Sequence, residues 1–143
     1  MEKDFPIRFK TPYLEKEFCD PRLNTALVMA VLYTAWLIFK YTNREAVVTG
    51  IFRTKEEQEK ICRDQGVEFY ESVHQFWRGA DVRSIGIEQK IVEGIVRRVN
   101  LAFPYNGSPG KKTAIIHQVG SLGMHIHLQS GHSEPHYQPE STA

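Results

Sequence analysis

Two histidines two residues apart, His125 and His127, stand in Met124-His-Ile-His-Leu-Gln129 near the end of a 143-residue chain. If this segment is a strand, alternate side chains point to opposite faces, so His125, His127 and Gln129 share one face and Met124, Ile126 and Leu128 the other. The first face would be a polar floor and the second part of a core. Two imidazoles on such a floor can address one metal ion, or one can bind while its neighbour does acid/base work; they can also be only a surface pair. A second group lies upstream in Ser72-Val-His-Gln-Phe-Trp-Arg-Gly-Ala-Asp81, where His74 precedes Asp81 by seven residues. Asp81 falls inside a predicted strand, where an aspartate seldom sits without a partner. Two imidazoles and one carboxylate leave the fourth tetrahedral position of zinc for water, the arrangement of catalytic zinc sites, and His74, Asp81 and His127 could supply that set.

Other residues could serve the same floor. His117 precedes the histidine pair on an adjoining predicted strand and reaches the floor only if strand register permits. Arg78 and Arg83 flank Asp81, and by alternation Arg83 shares its face while Arg78 lies at the end of the preceding loop; either could orient a substrate carboxylate or neutralise Asp81. Phe76 and Trp77 could wall a cleft or simply pack. His132 and His136 lie in a polar, proline-containing tail and are left out of the ligand set.

The elements that must position these groups follow from local pattern. Asp20-Pro21 resembles an N-cap with proline at the first helical position, opening a helix that runs to about Asn43. Its stretch from Ala26 to Phe39 has only Thr34 as a strongly polar residue; at fourteen residues it is shorter than a bilayer span needs, and it reads as a central core helix, with an anchor or apolar partner surface as the alternative. Glu45 to Phe52 reads as a strand, and Thr54-Lys-Glu-Glu57 as a capping box that starts a polar helix ending at Gly66. Gly79 to Ser84 is a further strand. Ile87 to Phe103 is a helix with Ile87, Ile91, Ile95 and Val99 as its core stripe, stopped by Pro104. Thr113 to Val119 and Met124 to Gln129 form an antiparallel hairpin around Gly120-Ser-Leu-Gly123. The class is α+β, a small antiparallel sheet flanked by helices, in one domain spanning 1–143 with 1–19 and 130–143 as peripheral arms.

Composition narrows the function. Eighteen basic against 17 acidic side chains leave almost no net field, which gives no argument for nucleic acid or an anionic membrane surface as partner. Cys19 and Cys62 lack metal-ligand spacing and read as reduced, packed thiols. No basic stretch runs directly into an apolar segment at the start, so no secretory signal is expected and the protein is expected to remain in the cytoplasm as synthesised.

The order His74, Asp81, then a distant His-x-His resembles the signature of the zinc peptidases grouped with lysostaphin, the D-alanyl-D-alanine peptidases and the Sonic hedgehog domain. The likeness to the D-alanyl-D-alanine carboxypeptidase branch extends upstream, since its Ser-x-His-x-x-Gly-x-Ala-x-Asp pattern is partly met by Ser72, His74 and Asp81. Its Gly-Tyr-Arg-Thr lead-in, followed by acidic residues and glutamine, is similar to Gly50-Ile-Phe-Arg-Thr-Lys-Glu-Glu-Gln58. The matches run in order from about residue 48 to 129, over more than half the chain. The resemblance implies a Hedgehog/DD-peptidase-like fold, one Zn2+ on His74, Asp81 and His127, and an Arg53 that contacts substrate, for which a guanidinium fork suits a peptide carboxylate.

Two departures are informative. Trp77 and Gly79 stand where the family pattern has glycine and alanine, and Met124 stands where the carboxypeptidase branch carries its catalytic Glu or Asp. Penicillin-insensitive murein endopeptidases of the same group instead place a histidine two residues before the last ligand, which falls on His125, and a neutral imidazole is a competent base near pH 7. The resemblance thus implies a zinc peptidase acting on peptidoglycan stem peptides or related D-amino-acid peptides, with His125 as base and Arg53 gripping a carboxylate. Such an enzyme suits a bacteriophage lysis or virion protein, or a cytoplasmic peptide-recycling enzyme. The alternative is a non-catalytic zinc-containing domain that binds a peptide or protein.

Overall fold

The computed structural model describes residues 5–118 and 124–131. Its chain order is β1 (Ile7–Phe9), α1 (Pro12–Phe18), α2 (Thr25–Thr42), β2 (Ala46–Gly50), α3 (Lys55–Gln65), a 3-10 turn (Val73–Phe76), β3 (Gly79–Arg83), α4 (Gln89–Ala102), β4 (Ala114–Gln118) and β5 (Met124–Gln129). The strands form one sheet in the order β1-β2-β3-β5-β4. It is α+β as expected, but mixed rather than purely antiparallel, because β1 joins β2 in parallel while the other pairings are antiparallel. Residues 5–19, expected as a peripheral arm, instead supply this edge strand and α1, whose Leu14 and Glu17 are buried. A three-residue strand is too short to leave a periodic signal in sequence.

Helices α2 and α4 cover one face of the sheet. Ala80, Val82, Ile126 and Leu128 are buried there with Leu27, Val31, Leu37 and Ile38 of α2 and with Val92, Ile95 and Val99 of α4. The α4 stripe is therefore centred on Val92, Ile95 and Val99, with Ile87 and Ile91 only partly buried at its margin. The buried Thr34 donates its hydroxyl to the Ala30 carbonyl at 2.8 Å, which satisfies it inside the helix.

Helix α2 begins four residues later than Asp20-Pro21 suggests. Asp20 accepts the Arg22 amide at 2.8 Å and holds its guanidinium, closing a local turn, while Asn24 caps the helix by accepting the Leu27 amide at 3.1 Å. Asn43 then ends it in the left-handed conformation, its amide bonded to the Phe39 carbonyl. The Thr54–Glu57 capping box forms as expected, with reciprocal bonds of 2.8 and 3.1 Å, and α3 stops at a left-handed Gly66. Both cysteines are free, but Cys19 is exposed and only Cys62 is packed. The turn at Gly120 to Gly123, and His132 and His136, lie outside the described residues.

Candidate metal centre

The face of the sheet opposite α2 and α4 carries the polar groups. Register places Asp81 of β3 beside His127 of β5, and His127 beside Ile115 of β4; the next row is Arg83, His125 and His117. Residues directly opposite in a sheet share a face, so five of the sequence-predicted groups, Asp81, Arg83, His117, His125 and His127, lie on this one. Register does bring His117 to the floor: its ring centroid lies 5.4 Å from that of His125 and 5.6 Å from that of His127.

His74 arrives from outside the sheet. Ser72 caps the short 3-10 turn by accepting the His74 amide, and Gln75 reaches back to the Ser72 amide. Trp77 then leaves this turn with a φ of 59°, unusual for a bulky residue, and buries its ring against Phe52 with centroids 4.5 Å apart. Gly79 lets β3 pass directly under the turn, since a Cβ there would lie 2.7 Å from Val73 Cγ2 and 3.2 Å from the His74 amide. On the other side of β3, a bulge at Thr49 sets Gly50 opposite Asp81, and a Cβ on Gly50 would lie 3.2 Å from Asp81 Oδ2. Backbone therefore approaches the carboxylate and the imidazole where a side chain would displace them.

The hydrogen bonds fix which ring nitrogens face Asp81. His74 Nδ1 lies 2.7 Å from the Ile51 carbonyl and must donate to it, which leaves Nε2 as a bare lone pair 3.3 Å from Asp81 Oδ2 when the ring is neutral. Gln129 donates its amide nitrogen to the Lys112 carbonyl at 2.8 Å, so its Oε1 faces His127 and takes the Nε2 proton at 3.2 Å. The neutral His127 ring then presents its Nδ1 lone pair to Asp81 Oδ1 at 3.0 Å. Two imidazole lone pairs aimed at a buried carboxylate repel unless a cation lies between them.

The group formed by His74, Asp81 and His127 could hold a metal ion, with its donor atoms all within 4.8 Å of one another. Bonds of about 2.0–2.1 Å at tetrahedral angles separate ligand atoms by about 3.3 Å. His74 Nε2 lies 3.3 Å from Asp81 Oδ2 and His127 Nδ1 lies 3.0 Å from Asp81 Oδ1, so each ring nitrogen stands at about this separation from its own carboxylate oxygen. Burial by itself would raise the Asp81 pKa, but a charge on His74 and a hydrogen bond donated by His127, both of which need those rings to carry a second proton, prevail and hold it well below the ordinary carboxylate range. Asp81 is thus an anion that favours a cation, a proton or a metal ion, between itself and the two rings.

His125 stands beside this set, with Nε2 3.4 Å from Asp81 Oδ1. Burial lowers the pKa of its ring, as do the neighbouring imidazoles, against the opposing pull of Asp81; burial and His127 lower that of His117 likewise. Both are neutral bases at pH 7.

The site opens into a cleft of about 1070 Å³ that Lys10, Arg53, Glu71, Arg83, His117 and Met124 also line. Arg53 donates to Gln58 Oε1 at 2.7 Å and to Ser72 Oγ at 3.3 Å, while its amide bonds the His74 carbonyl. Its guanidinium is thereby anchored to the loop that carries a metal-ligating candidate. Arg78 is not brought in, because it donates to the carbonyls of Ser130 and Gly131 at 2.8 and 3.0 Å and ties the end of β5 to the loop instead. Trp77 and Phe76 do not line the cleft; Trp77 is buried among core residues.

Two positioning groups escaped sequence reasoning. Alternation puts Gln129 on the correct face without showing that it orients His127, and Gln58, fully buried, holds Arg53 while donating to the Tyr70 carbonyl at 3.0 Å. A glutamine on the inward side of a polar helix was the available signal for the latter. No family model matches the chain, and neither a curated protein nor a solved structure matches it, so the reading of this centre rests on its own geometry.

Proposed function

We propose that the protein is a zinc metallopeptidase acting on peptidoglycan stem peptides or related D-amino-acid peptides, on a fold of the Hedgehog/DD-peptidase kind. The observation that carries this reading is the pair of ring nitrogens, His74 Nε2 and His127 Nδ1, converging on the buried Asp81 at the floor of a cleft of about 1070 Å³. Two imidazoles, one carboxylate and an open side toward solvent suit zinc with a free position. The motif order shared with the D-alanyl-D-alanine peptidases supports the substrate class.

Zinc in this position supplies Lewis-acid polarisation of a peptide carbonyl and of water. The chain's own residues do the rest. His125, neutral and beside the ligand set, takes a proton from the attacking water at Nε2 and returns it to the leaving amine. Arg53, prefixed by Gln58 and Ser72, holds a substrate carboxylate with the nitrogens that those contacts leave over. Gln129 and the Ile51 carbonyl keep the two ligand rings in the tautomers that bind.

A second reading is a zinc-holding domain that binds a peptide without cleaving it. Met124, half-buried at the cleft in place of a carboxylate, favours it. Incubation of the zinc-loaded chain with purified peptidoglycan and with muropeptides, followed by analysis of released amines, decides between the two. Cleavage that a chelator abolishes and zinc restores is expected; an inert, zinc-loaded protein that still binds muropeptides supports the second reading.

A further inference from the structure

Helix α2 is apolar on both sides. Its inner face, from Leu27 to Ile38, is buried in the core, yet its outer face exposes Met29, Trp36 and Phe39, flanked by the half-buried Leu32 and Tyr33. No acidic residue occurs in the helix, and its one charge, Lys40, lies among these rings with Nζ 4.8 Å from the centroid of Trp36 and 5.8 Å from that of Tyr41. The neighbouring α4 adds an exposed Leu101 and places Arg98 5.6 Å from the Tyr41 ring. Together α2 and α4 carry Lys40, Lys90, Arg97 and Arg98 against Glu93 alone, a net +3 in a chain whose total is +1. The near-zero total therefore conceals a basic helical layer and a net negative remainder.

We propose that this layer adsorbs to an anionic lipid membrane surface, with the outer face of α2 in the headgroup region. Trp and Tyr rings with a cation among them suit that interface, since the rings bury apolar area while Lys40 and Arg98 reach the phosphates. The helix is long and apolar enough to cross a membrane, but its inner face is committed to the core. Spanning would expose Leu27, Val31 and Ile38 and dismantle the sheet's cover, so the helix lies on the bilayer. A second copy of the chain fits less well, because it would bring a like-charged layer against this one. The metal centre lies on the opposite face of the sheet, so adsorption leaves the cleft open to solvent.

The test uses the full chain with vesicles of equal parts phosphatidylglycerol and phosphatidylcholine, against vesicles of phosphatidylcholine alone. Co-sedimentation with the anionic vesicles, weakened by salt, is expected, together with a blue shift of tryptophan emission. Trp36 and Trp77 are the chain's two tryptophans, and Trp77 is only 4% exposed, so the shift reports Trp36. Lys40→Glu should weaken partitioning about 25-fold, since each charge near an anionic surface is worth about fivefold and a reversal counts it twice. Trp36→Ala should remove the shift, and circular dichroism checks that both variants fold. Equal binding to both vesicle types, or none to either, overturns the proposal. So does concentration-dependent self-association that Trp36→Ala abolishes in the absence of lipid.

Discussion

His127 Nδ1 lies 3.0 Å from Asp81 Oδ1 while Gln129 holds the other ring nitrogen as a donor, so the neutral ring points a lone pair at an anion. A metal resolves that repulsion. One zinc per chain is therefore expected by metal analysis, with binding lost in His74→Ala and in His127→Ala. A ligand that binds only the folded state at a thousandfold excess over its Kd adds about 4 kcal/mol, a rise in Tm on the order of 10 °C for a chain of this size. Full zinc occupancy in both variants would remove the site.

The orienting contact can be tested separately. Gln129→Leu keeps the strand but frees His127 to take either tautomer, so zinc affinity should fall about 10- to 100-fold with little change in the metal-free fold. Competition titration with a chromophoric chelator measures this, and an unchanged affinity would show that the His127 ring is held some other way.

The two close-approach glycines differ in what they protect. Gly79→Ala puts a methyl 2.7 Å from Val73 Cγ2 and against the His74 amide, which should cost about 1–3 kcal/mol in denaturant unfolding and loosen His74. Gly50→Ala, 3.2 Å from Asp81 Oδ2, should disturb stability less and zinc affinity more. Equal losses in both properties for both variants would contradict this division.

Alternation and capping made much of this fold legible in the sequence. The face shared by His125, His127 and Gln129, the Thr54 capping box and the strand around Asp81 follow from rules that act within a few residues. What sequence alone left open depends on long-range partners. β1 is three residues long and exists because β2 offers it an edge, and the fate of Arg78 depends on where the carbonyls of Ser130 and Gly131 end. The helix start at Asn24 rather than Asp20 turns on Arg22 capturing the Asp20 carboxylate, a competition between two local options that composition does not decide. His117 needed the β4–β5 register, which a four-residue turn signal did not specify.

Acidification should act on the site in a defined direction. His117 and His125 have pKa values lowered on folding, first by burial, so the stability they contribute is fully present above the ordinary imidazole value of about 6.5 and is lost as pH falls through their folded values. Asp81 behaves in the same sense at lower pH, its contribution being present above the ordinary carboxylate value and lost only under strong acid. The Tm of the metal-free chain should accordingly decline from pH 7 toward pH 5. In His125→Ala that decline should be shallower; an identical slope would mean that His125 is not depressed.

The assignment of the base gives the sharpest prediction. Alternation and register put His125 on the face of His127, with Nε2 3.4 Å from Asp81 Oδ1, whereas Met124 occupies the other alternation position and has no titratable atom. His125→Ala should keep its zinc, since His74, Asp81 and His127 are untouched, and lose activity on muropeptides by about 10²- to 10⁴-fold. Because burial lowers the His125 pKa, the acid limb of the wild-type kcat profile should fall below pH 6.5, where a base of ordinary imidazole affinity would already be half protonated. Arg53→Ala should instead raise KM for substrates with a free carboxylate and spare those without one. If His125→Ala retains wild-type activity and the same acid limb, the proton is taken elsewhere, and His117, 5.6 Å from His127 by ring centroids, becomes the base to test.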